Sequence, residues 1–535
     1  MKKKRPFFLP LIFSIILSIG IIIGYIISPS NGVKSSFSNS YNEKDKINDV
    51  LKLIQRDYVD TINEKEMVEN MLTDMLHNLD PHSSYIPTRN LQIIEEEMSG
   101  NFDGIGIQFR IQEDSILVIM PISGGPSAKK GIRAGDRIVD VNEKEITDIK
   151  INNDTVMKLL KGPKGSKVNL RIYRPSIKDY LSFEITRDKI PMYSIDIAYM
   201  PVSEIGYIKI NRFSATTYDE FVLKTKSLQL QGMRKLIIDL RDNGGGYLSA
   251  ASKLCNDFLT SNQVIVYTEG KNRAKDYIRA TSDTRLREVE LIILINEFSA
   301  SASEIVSGAI QDNDRGIIVG RRSFGKGLVQ EQLEFSDKSA IRLTVARYYT
   351  PAGRCIQKSY KNGYEDYESD LLHRYTNDEL INPDSIHFED SLKYFTSEGR
   401  VVYGGGGIMP DVFVALDTNN LYSYFNKLTG RGLVYQFAFD YTDRNRGAIS
   451  KEYNTPKSFT KNFVISEKMM IDFTKYATEE GVEFDLKSYT FCKDDIEARM
   501  KAYIGRGIHD NDAFYPVLLS KDKTFLKAVD ILKKK

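Results

Sequence analysis

The segment Asn296–Gln330 constrains this chain most, because it joins a buried strand, a serine-rich turn and a helix within a few residues. An apolar run, Leu291–Ile295, precedes small residues at 299–303, and helical spacing follows over Glu304–Ile310. Such a strand-turn-helix corner exposes a serine hydroxyl at a sheet edge. The first N–H groups of the helix have no helical partner and carry the positive end of its dipole. Ser301 therefore stands where a nucleophile for acyl transfer would be useful.

A serine nucleophile needs a base, and histidine is the usual one. The chain has five histidines, which are His77, His82, His373, His387 and His509. None lies between Leu236 and Gln330, although a distant residue can still be a spatial neighbour. Lysine replaces histidine when burial lowers its pKa enough. Lys326, flanked by glycines, is such a candidate, and the amide oxygen of Gln330 four residues on can orient it. The alternatives are a serine corner without chemistry and a solvated Gly-Lys-Gly turn.

Five stretches of the chain together resemble one known protein family. They are Asn296–Ile305, Gly320–Gln330, Asp239–Gly246, Arg347–Arg354 and Gly407–Asp411. Together they resemble the carboxyl-terminal processing peptidases, also called tail-specific proteases, and the likeness covers residues 45–415. The resemblance implies that Ser301 is the nucleophile, that Lys326 is the base and that Gln330 is the third catalytic residue. It implies neither a metal nor an organic cofactor.

The glycine run Gly244–Gly246 follows the short apolar strand Leu236–Leu240. A glycine loop between a strand and a helix can cradle a phosphate, but the Gly-Lys-Ser/Thr ending of a P-loop is absent. We favour an oxyanion loop over a turn needed only for packing. By resemblance, the N–H of Ala302 and that of Gly244 or Gly245 form the oxyanion hole.

Residues 100–188 have the element order of a PDZ domain. Gly104-Ile105-Gly106-Ile107 opens a strand, Asn153–Leu160 has helical spacing, and Lys167–Tyr173 is a last strand. By resemblance, the N–H groups of the loop Gly104–Ile107 capture the terminal carboxylate of a peptide that adds as a strand. The alternative is a module that only holds the fold together or binds an adaptor.

The N-terminus predicts a membrane location. Basic residues 2–5 precede the uncharged apolar stretch Phe7–Ile27, which has the length of a transmembrane helix. Basic residues in front of the span place the rest of the chain outside the cytoplasm. We therefore expect a single-pass membrane protein with an extracytoplasmic catalytic part, on the periplasmic side in a Gram-negative cell. A cleaved signal is the alternative, but small residues in an Ala-x-Ala pattern are missing at its end.

The composition of the chain limits the classes of partner that we expect it to bind. The 74 basic and 72 acidic residues almost cancel, which argues against nucleic acid. The chain has three widely spaced cysteines, Cys255, Cys355 and Cys492, which favour neither a metal site nor a disulfide framework. The expected partners are protein substrates with apolar C-terminal tails, the membrane, and a second copy of the chain in a homodimer.

We predict a multidomain α/β protein of six segments. They are 1–28, a basic tip and transmembrane anchor; 29–44, a linker; 45–99, a helical region; 100–188, the PDZ domain; 189–415, the serine peptidase core; and 416–535, a helical C-terminal domain. By resemblance, the mixed α/β core is of the crotonase and Clp-peptidase type.

These observations favour a membrane-anchored serine endopeptidase that recognises protein tails through its PDZ domain and cleaves with a Ser-Lys dyad. Two alternatives stay open. One is a catalytically silent PDZ adaptor or chaperone, against which the intact set of Ser301, Lys326 and Gln330 argues. The other is an acyl-transfer enzyme for small thioesters, which would not need the peptide-binding loop Gly104–Ile107.

Overall fold

The computed structural model describes residues 8–27, 43–112, 115–122, 124–147, 150–281 and 285–534. The chain divides into two compact units, residues 1–71 and 72–535. The first unit contains the helices α1 (Leu9–Ile27) and α2 (Glu43–Asp57), and α3 (Glu64–His77) begins in it. Most of the predicted linker, with the basic residues 2–5, lies outside the described residues.

The prediction of a membrane anchor over Phe7–Ile27 is wrong. A crossing helix has to match a hydrocarbon core of about 30 Å with about 20 apolar residues. Within the ranges that the structure describes, no helix combines the length and the apolar character that a membrane span requires. The predicted location as a single-pass membrane protein depended on this anchor and is therefore wrong as well.

In the second unit, α3 is followed by a turn in which Asp80 and Ser83 are buried, and then by two short elements. Residues 78–83 turn the chain into the strand β1 (Ser84–Ile86), and the helix α4 (Thr88–Ser99) follows. Gly100 ends α4 in the left-handed conformation, with a φ of 74°, and its N–H donates to the carbonyl of Glu96. This conformation suits glycine, so the chain turns directly into the next domain.

Residues 101–191 form a strand-rich domain with two helices. Its elements are β2 (Asn101–Gly104), β3 (Ile107–Gln112), β4 (Ser115–Pro121), α5 (Pro126–Lys130), β5 (Arg137–Val141), β6 (Lys144–Glu145), α6 (Asn153–Leu160), β7 (Lys167–Arg174), β8 (Asp179–Thr186) and β9 (Asp188–Pro191). The strand order is β3-β4-β5-β7-β8, so β3 lies at a sheet edge. Successive side chains of a strand point to opposite faces of its sheet. In β7, every second side chain therefore points into the core, as Val168, Leu170 and Ile172 do.

The next part of the chain, residues 192–415, has a mixed α/β architecture. Its elements are β10 (Ile195–Val202), β11 (Ile205–Ile210), α7 (Thr217–Leu230), β12 (Lys235–Asp239), α8 (Leu248–Asn256), β13 (Val264–Gly270), β14 (Arg273–Arg279), β15 (Glu290–Ile295), α9 (Ala302–Asp312), β16 (Ile317–Gly320), β17 (Leu328–Glu334), β18 (Ala340–Tyr349), α10 (Tyr364–Thr376), β19 (Lys393–Phe395), β20 (Val401–Tyr403) and β21 (Val412–Phe413). Its central sheet has the order β10-β11-β12-β15-β16-β21, in which only β10 pairs antiparallel.

The register of this sheet positions the glycine loop and the serine corner. In the parallel pair β12–β15, Asp239 lies opposite Leu294, so the two strands end at the same edge of the sheet. The glycine loop follows β12, and the serine corner follows β15. The apolar runs of both strands are buried, as expected for parallel strands covered on both faces.

Residues 416–534 form a helical C-terminal region. Its helices are α11 (Ser423–Gly430), α12 (Leu433–Glu452), α13 (Pro456–Asn462), α14 (Glu467–Glu479), α15 (Leu486–His509), α16 (Asn511–Leu519) and α17 (Lys523–Lys534). The apolar side chains of Met469, Phe473 and Ala477 on α14 recur at helical spacing and are buried. The prediction of a multidomain α/β chain with a helical C-terminal region is confirmed.

The C-terminal region contacts both other parts of the second unit. Phe525 and Val529 of α17 pack against the face of the central sheet that includes Tyr207 and Leu294. The guanidinium of Arg110 from β3 lies 4.4 Å from the centre of the Phe439 ring of α12. The C-terminal region therefore connects the strand-rich domain to the central sheet.

Candidate active site

Ser301 lies at the corner between β15 and α9, where the sequence predicts it. Its backbone has a φ of 54° and a ψ of −113°, a conformation that is unfavourable for a residue with a side chain. Ser299 stabilises the corner, because its hydroxyl donates to the carbonyl of Leu240 at 2.8 Å and accepts from the N–H of Asn296 at 2.9 Å. Strained corners of this kind present a nucleophile at the end of a strand.

The glycine loop packs directly against this corner. The carbonyl of Asn243 accepts from the N–H of Ala300 at 3.0 Å and from the hydroxyl of Ser303 at 2.9 Å. A side chain at Gly245 would place its Cβ 2.7 Å from the Cβ of Ser301 and 2.9 Å from the nitrogen of Ala302. Gly245 also has a φ of +103°, so both space and conformation require glycine there.

The two glycines that we singled out differ in their surroundings. The N–H of Gly245 donates to the side-chain oxygen of Asn243 at 2.9 Å, and Gly245 is buried. Gly244 is exposed, and a Cβ built on it would meet no atom within 4 Å. The amide of Gly244 therefore faces more open space than that of Gly245.

Lys326 lies on the loop between β16 and β17, and its side chain is mostly buried. Its Nζ donates to the Oε1 of Gln330 at 3.0 Å. Burial lowers the pKa of Lys326, and the positive charge of Arg342 lowers it further, while the carboxylates of Asp80 and Glu304 raise it. The structure thus brings Lys326 and Gln330 together and favours the neutral amine relative to a lysine in water.

Glu304 joins the serine corner to the lysine loop. Its Oε2 accepts from the N–H of Ser301 and from that of Lys326, each at 2.9 Å. Its Oε1 accepts from the Ser323 hydroxyl at 2.5 Å and from the N–H of Gly325 at 2.7 Å. Complete burial raises the pKa of Glu304 to about 7, although these hydrogen bonds lower it.

Tyr348 makes a second connection between the same two segments. Its hydroxyl lies 3.1 Å from the carbonyl oxygen of Ser301 and is also hydrogen-bonded to the carbonyl of Lys326. One carboxyl group and one phenol therefore hold the main chains of Ser301 and Lys326 in place. Sequence reasoning missed both residues. The Ser-x-x-Glu spacing of a capping box was the available signal for Glu304, whereas the only signal for Tyr348 was its place in the stretch Arg347–Arg354 that carries the resemblance.

His82 is the histidine beside the lysine. Its carbonyl accepts a hydrogen bond from the amide nitrogen of Gln330, and its ring Nε2 lies 2.7 Å from the Tyr367 hydroxyl. Burial lowers the pKa of His82 to about 4, and the nearby charge of Lys326 lowers it too. The imidazole is therefore neutral near pH 7.

The loop Gly104–Ile107 begins the edge strand β3. Its carbonyl groups face inward, because that of Ile105 accepts from the N–H of Ser127 at 3.1 Å and that of Gly106 accepts from the N–H of Ile122 at 2.9 Å. Ile105 is buried in the core of this domain, together with Val156 and Leu160 of α6.

Comparison with known proteins agrees with this arrangement. A family model described as peptidase family S41 matches residues 204–365, and a PDZ domain model matches residues 104–185. Residues 28–89 match a model of the N-terminal domain of the activating protease CtpB, and residues 424–510 match a family of unknown function.

Curated relatives point to the same enzymes. The carboxy-terminal processing protease CtpA of Bacillus subtilis is 32% identical over 360 residues, which are 67% of this chain and 76% of that protein. The carboxy-terminal-processing protease of Bartonella bacilliformis is 34% identical over 325 residues, 60% of this chain and 74% of that protein.

Fold, site and comparisons together define a serine endopeptidase with a PDZ domain. The chain belongs to peptidase family S41, and it is a carboxy-terminal processing protease. The resemblance and the enzyme class predicted from the sequence are both confirmed.

Proposed function

We propose that Ser301 and Lys326 form the catalytic dyad of this protease. The observation that supports it best concerns Lys326, whose mostly buried amine donates to Gln330 and whose main-chain N–H shares the Glu304 carboxylate with that of Ser301. The neutral amine removes the proton from the Ser301 hydroxyl as its oxygen attacks the scissile carbonyl. The ammonium then gives that proton to the leaving amine. Water hydrolyses the acyl-enzyme in a second round with the same base.

The oxyanion of the tetrahedral intermediate is held by main-chain N–H groups. Ala302 supplies the first, since it opens α9 and its N–H is among the helix groups without a helical acceptor. Gly244 supplies the second, because the amide of Gly245 already donates to Asn243. Gly245 contributes by its missing side chain, which leaves room beside Ser301 and Ala302.

The PDZ domain selects the substrate by its C-terminal tail. The terminal carboxylate binds to the N–H groups of the loop Gly104–Ile107, and the tail adds as a strand beside the edge strand β3. The apolar side chains around α6 favour tails that end in apolar residues.

The test is mass spectrometry of a loosely folded protein with an apolar C-terminus, incubated with the full chain. We expect cleavage by the wild type and none by the variants Ser301→Ala and Lys326→Met. The methionine has about the length of the lysine side chain but lacks its basic amine. Amidation of the substrate's C-terminus should suppress cleavage. Unchanged cleavage by either variant would refute the dyad.

The silent adaptor makes the opposite prediction. It requires tail binding by the wild type without cleavage and without labelling of Ser301 by a fluorophosphonate probe. The relation of the core to the crotonase and Clp-peptidase type, on which the acyl-transfer alternative depends, stays a prediction. So does the homodimer.

A further inference from the structure

We propose that the turn Asp80–Ser83 positions the catalytic lysine by fixing the orientation of the Gln330 amide. Asp80, Ser83 and Thr344 are then positioning residues for the reaction, although none of them touches the substrate. The inference rests on the proposed function, because it concerns the base of the dyad.

The first step is the orientation of the Gln330 side chain. A glutamine amide has one acceptor oxygen and one donor NH2 group, so its partners decide which end faces which neighbour. The NH2 group donates to the carbonyl of His82, and the oxygen accepts from the Nζ of Lys326 at 3.0 Å. If the carbonyl of His82 moved away, the amide could rotate and turn its NH2 group towards the amine. Lys326 would then lose the acceptor that holds one of its N–H groups.

The second step is the attachment of the turn to the strand beside Gln330. Thr344 of β18 is the direct cross-strand partner of Gln330 in β17. The hydroxyl of Thr344 donates to the Oδ1 of Asp80 at 3.0 Å, and its N–H donates to the hydroxyl of Ser83 at 3.1 Å. The pairing of β17 with β18 therefore sets the distance between the turn and the Gln330 amide.

The third step is the rigidity of the turn itself. The Oδ1 of Asp80 also accepts from the N–H groups of His82 and Ser83, each at 2.9 Å, and its Oδ2 accepts from the Ser83 hydroxyl at 2.6 Å. Aspartate side chains commonly close turns in this way. Asp80 and Ser83 are both buried, so water does not compete for these bonds. The His82 ring packs edge-on against Phe324, next to the lysine loop.

Charge gives the turn a second effect on the lysine. The charged groups that act on Lys326 are Arg342 of β18, Asp80 of the turn and Glu304 of α9. Asp80 stabilises the ammonium form and so opposes the effect of burial on the pKa of Lys326. His82, which lies within the turn, is neutral near pH 7 and adds no charge there.

The geometric role is tested by two substitutions at one position. Thr344→Val keeps the shape of the side chain but removes the hydroxyl that binds Asp80, whereas Thr344→Ser keeps a hydroxyl. We expect Thr344→Val to lower kcat for a tail-bearing protein about tenfold, because small displacements of a catalytic group are costly. Thr344→Ser should stay within about twofold of the wild type. KM and the affinity for a fluorescent tail peptide should not change, since the PDZ loop is untouched.

The charge is tested at Asp80. Asp80→Asn leaves an oxygen in the position of Oδ1 for its three donors, but it removes the negative charge. The midpoint of the acid limb of kcat/KM against pH reports the pKa of the base. It should therefore move to lower pH in Asp80→Asn and to higher pH in the matched variant Arg342→Gln. A turn with a purely structural role would lower activity without moving the midpoint.

Thermal unfolding of every variant separates loss of activity from loss of folding. Equal kcat values for Thr344→Val and Thr344→Ser, or an unchanged midpoint in Asp80→Asn, would overturn the inference while Ser301→Ala and Lys326→Met still abolish cleavage. Cleavage that survives in Lys326→Met would instead refute the dyad, and this inference with it.

Discussion

At the scale of single residues, Glu304 is the side chain on which the site depends most. Four donors from two chain segments converge on its carboxyl group in a place without solvent. A buried donor that loses its acceptor costs about 1–3 kcal/mol. Because Glu304 binds the main chains of both Ser301 and Lys326, such a loss affects the geometry of the proposed dyad as well as the free energy of unfolding.

We predict that Glu304→Gln destabilises the protein by about 1–3 kcal/mol. The NH2 group of the new glutamine would replace one carboxylate oxygen and would face donors that then have no acceptor. The pKa of Glu304 rises from 4.5 to about 7 on folding, so the folded state binds its proton more tightly. The advantage of the wild type over the variant should therefore fall as the pH rises from 4.5 to about 7. Urea denaturation across this range measures it, and parallel stability curves would contradict it.

At the scale of elements, the packing of the glycine loop against the start of α9 determines the site. We predict that Gly245→Ala abolishes most activity, because its Cβ would lie 2.7 Å from that of Ser301 at a φ of +103°. Gly244→Ala is the matched control, since its Cβ meets nothing within 4 Å and its N–H is retained. The ratio of the two kcat values measures the effect. Equal rates would show that the loop has more freedom than its packing indicates.

At the scale of the whole molecule, the C-terminal region contacts the PDZ domain through the helix α12. Arg110 of β3 donates to the side-chain oxygen of Gln436 at 2.7 Å, lies over the Phe439 ring and is 3.8 Å from the carboxylate of Asp440. These contacts hold the edge strand β3, beside which we propose that the tail binds. The helix that bears them, α12, belongs to the region that also packs on the central sheet.

We predict that Arg110→Ala loosens this support without harming the chemistry. Hydrogen exchange in β3 should become faster, and the preference for free over amidated tails should weaken, while hydrolysis of a short peptide by the same protein stays unchanged. Arg171→Ala is the control, because Arg171 lies over the ring of Tyr180 within the PDZ domain itself. Similar effects of both variants would rule out a specific role of α12.

Sequence reasoning succeeded where the signal is local. The helix Asn153–Leu160 has the predicted bounds because Asn152 caps it and its apolar spacing follows a helical period. The serine corner and the glycine loop were recognisable because each needs particular small residues within a few positions. The anchor over Phe7–Ile27 was wrong, because no helix among the described residues combines the length and the apolar character of a membrane span.

Local sequence patterns were therefore enough to predict the class of enzyme and to locate the residues at the corner and on the lysine loop. The contacts that hold these residues in place are visible only in the folded chain. Tyr348 reaches the carbonyl of Ser301 across 47 positions, and the carbonyl of His82 reaches Gln330 across 248. No periodicity encodes such pairs. They exist because strand pairing brings distant segments together, and because burial then requires each polar group to find a partner.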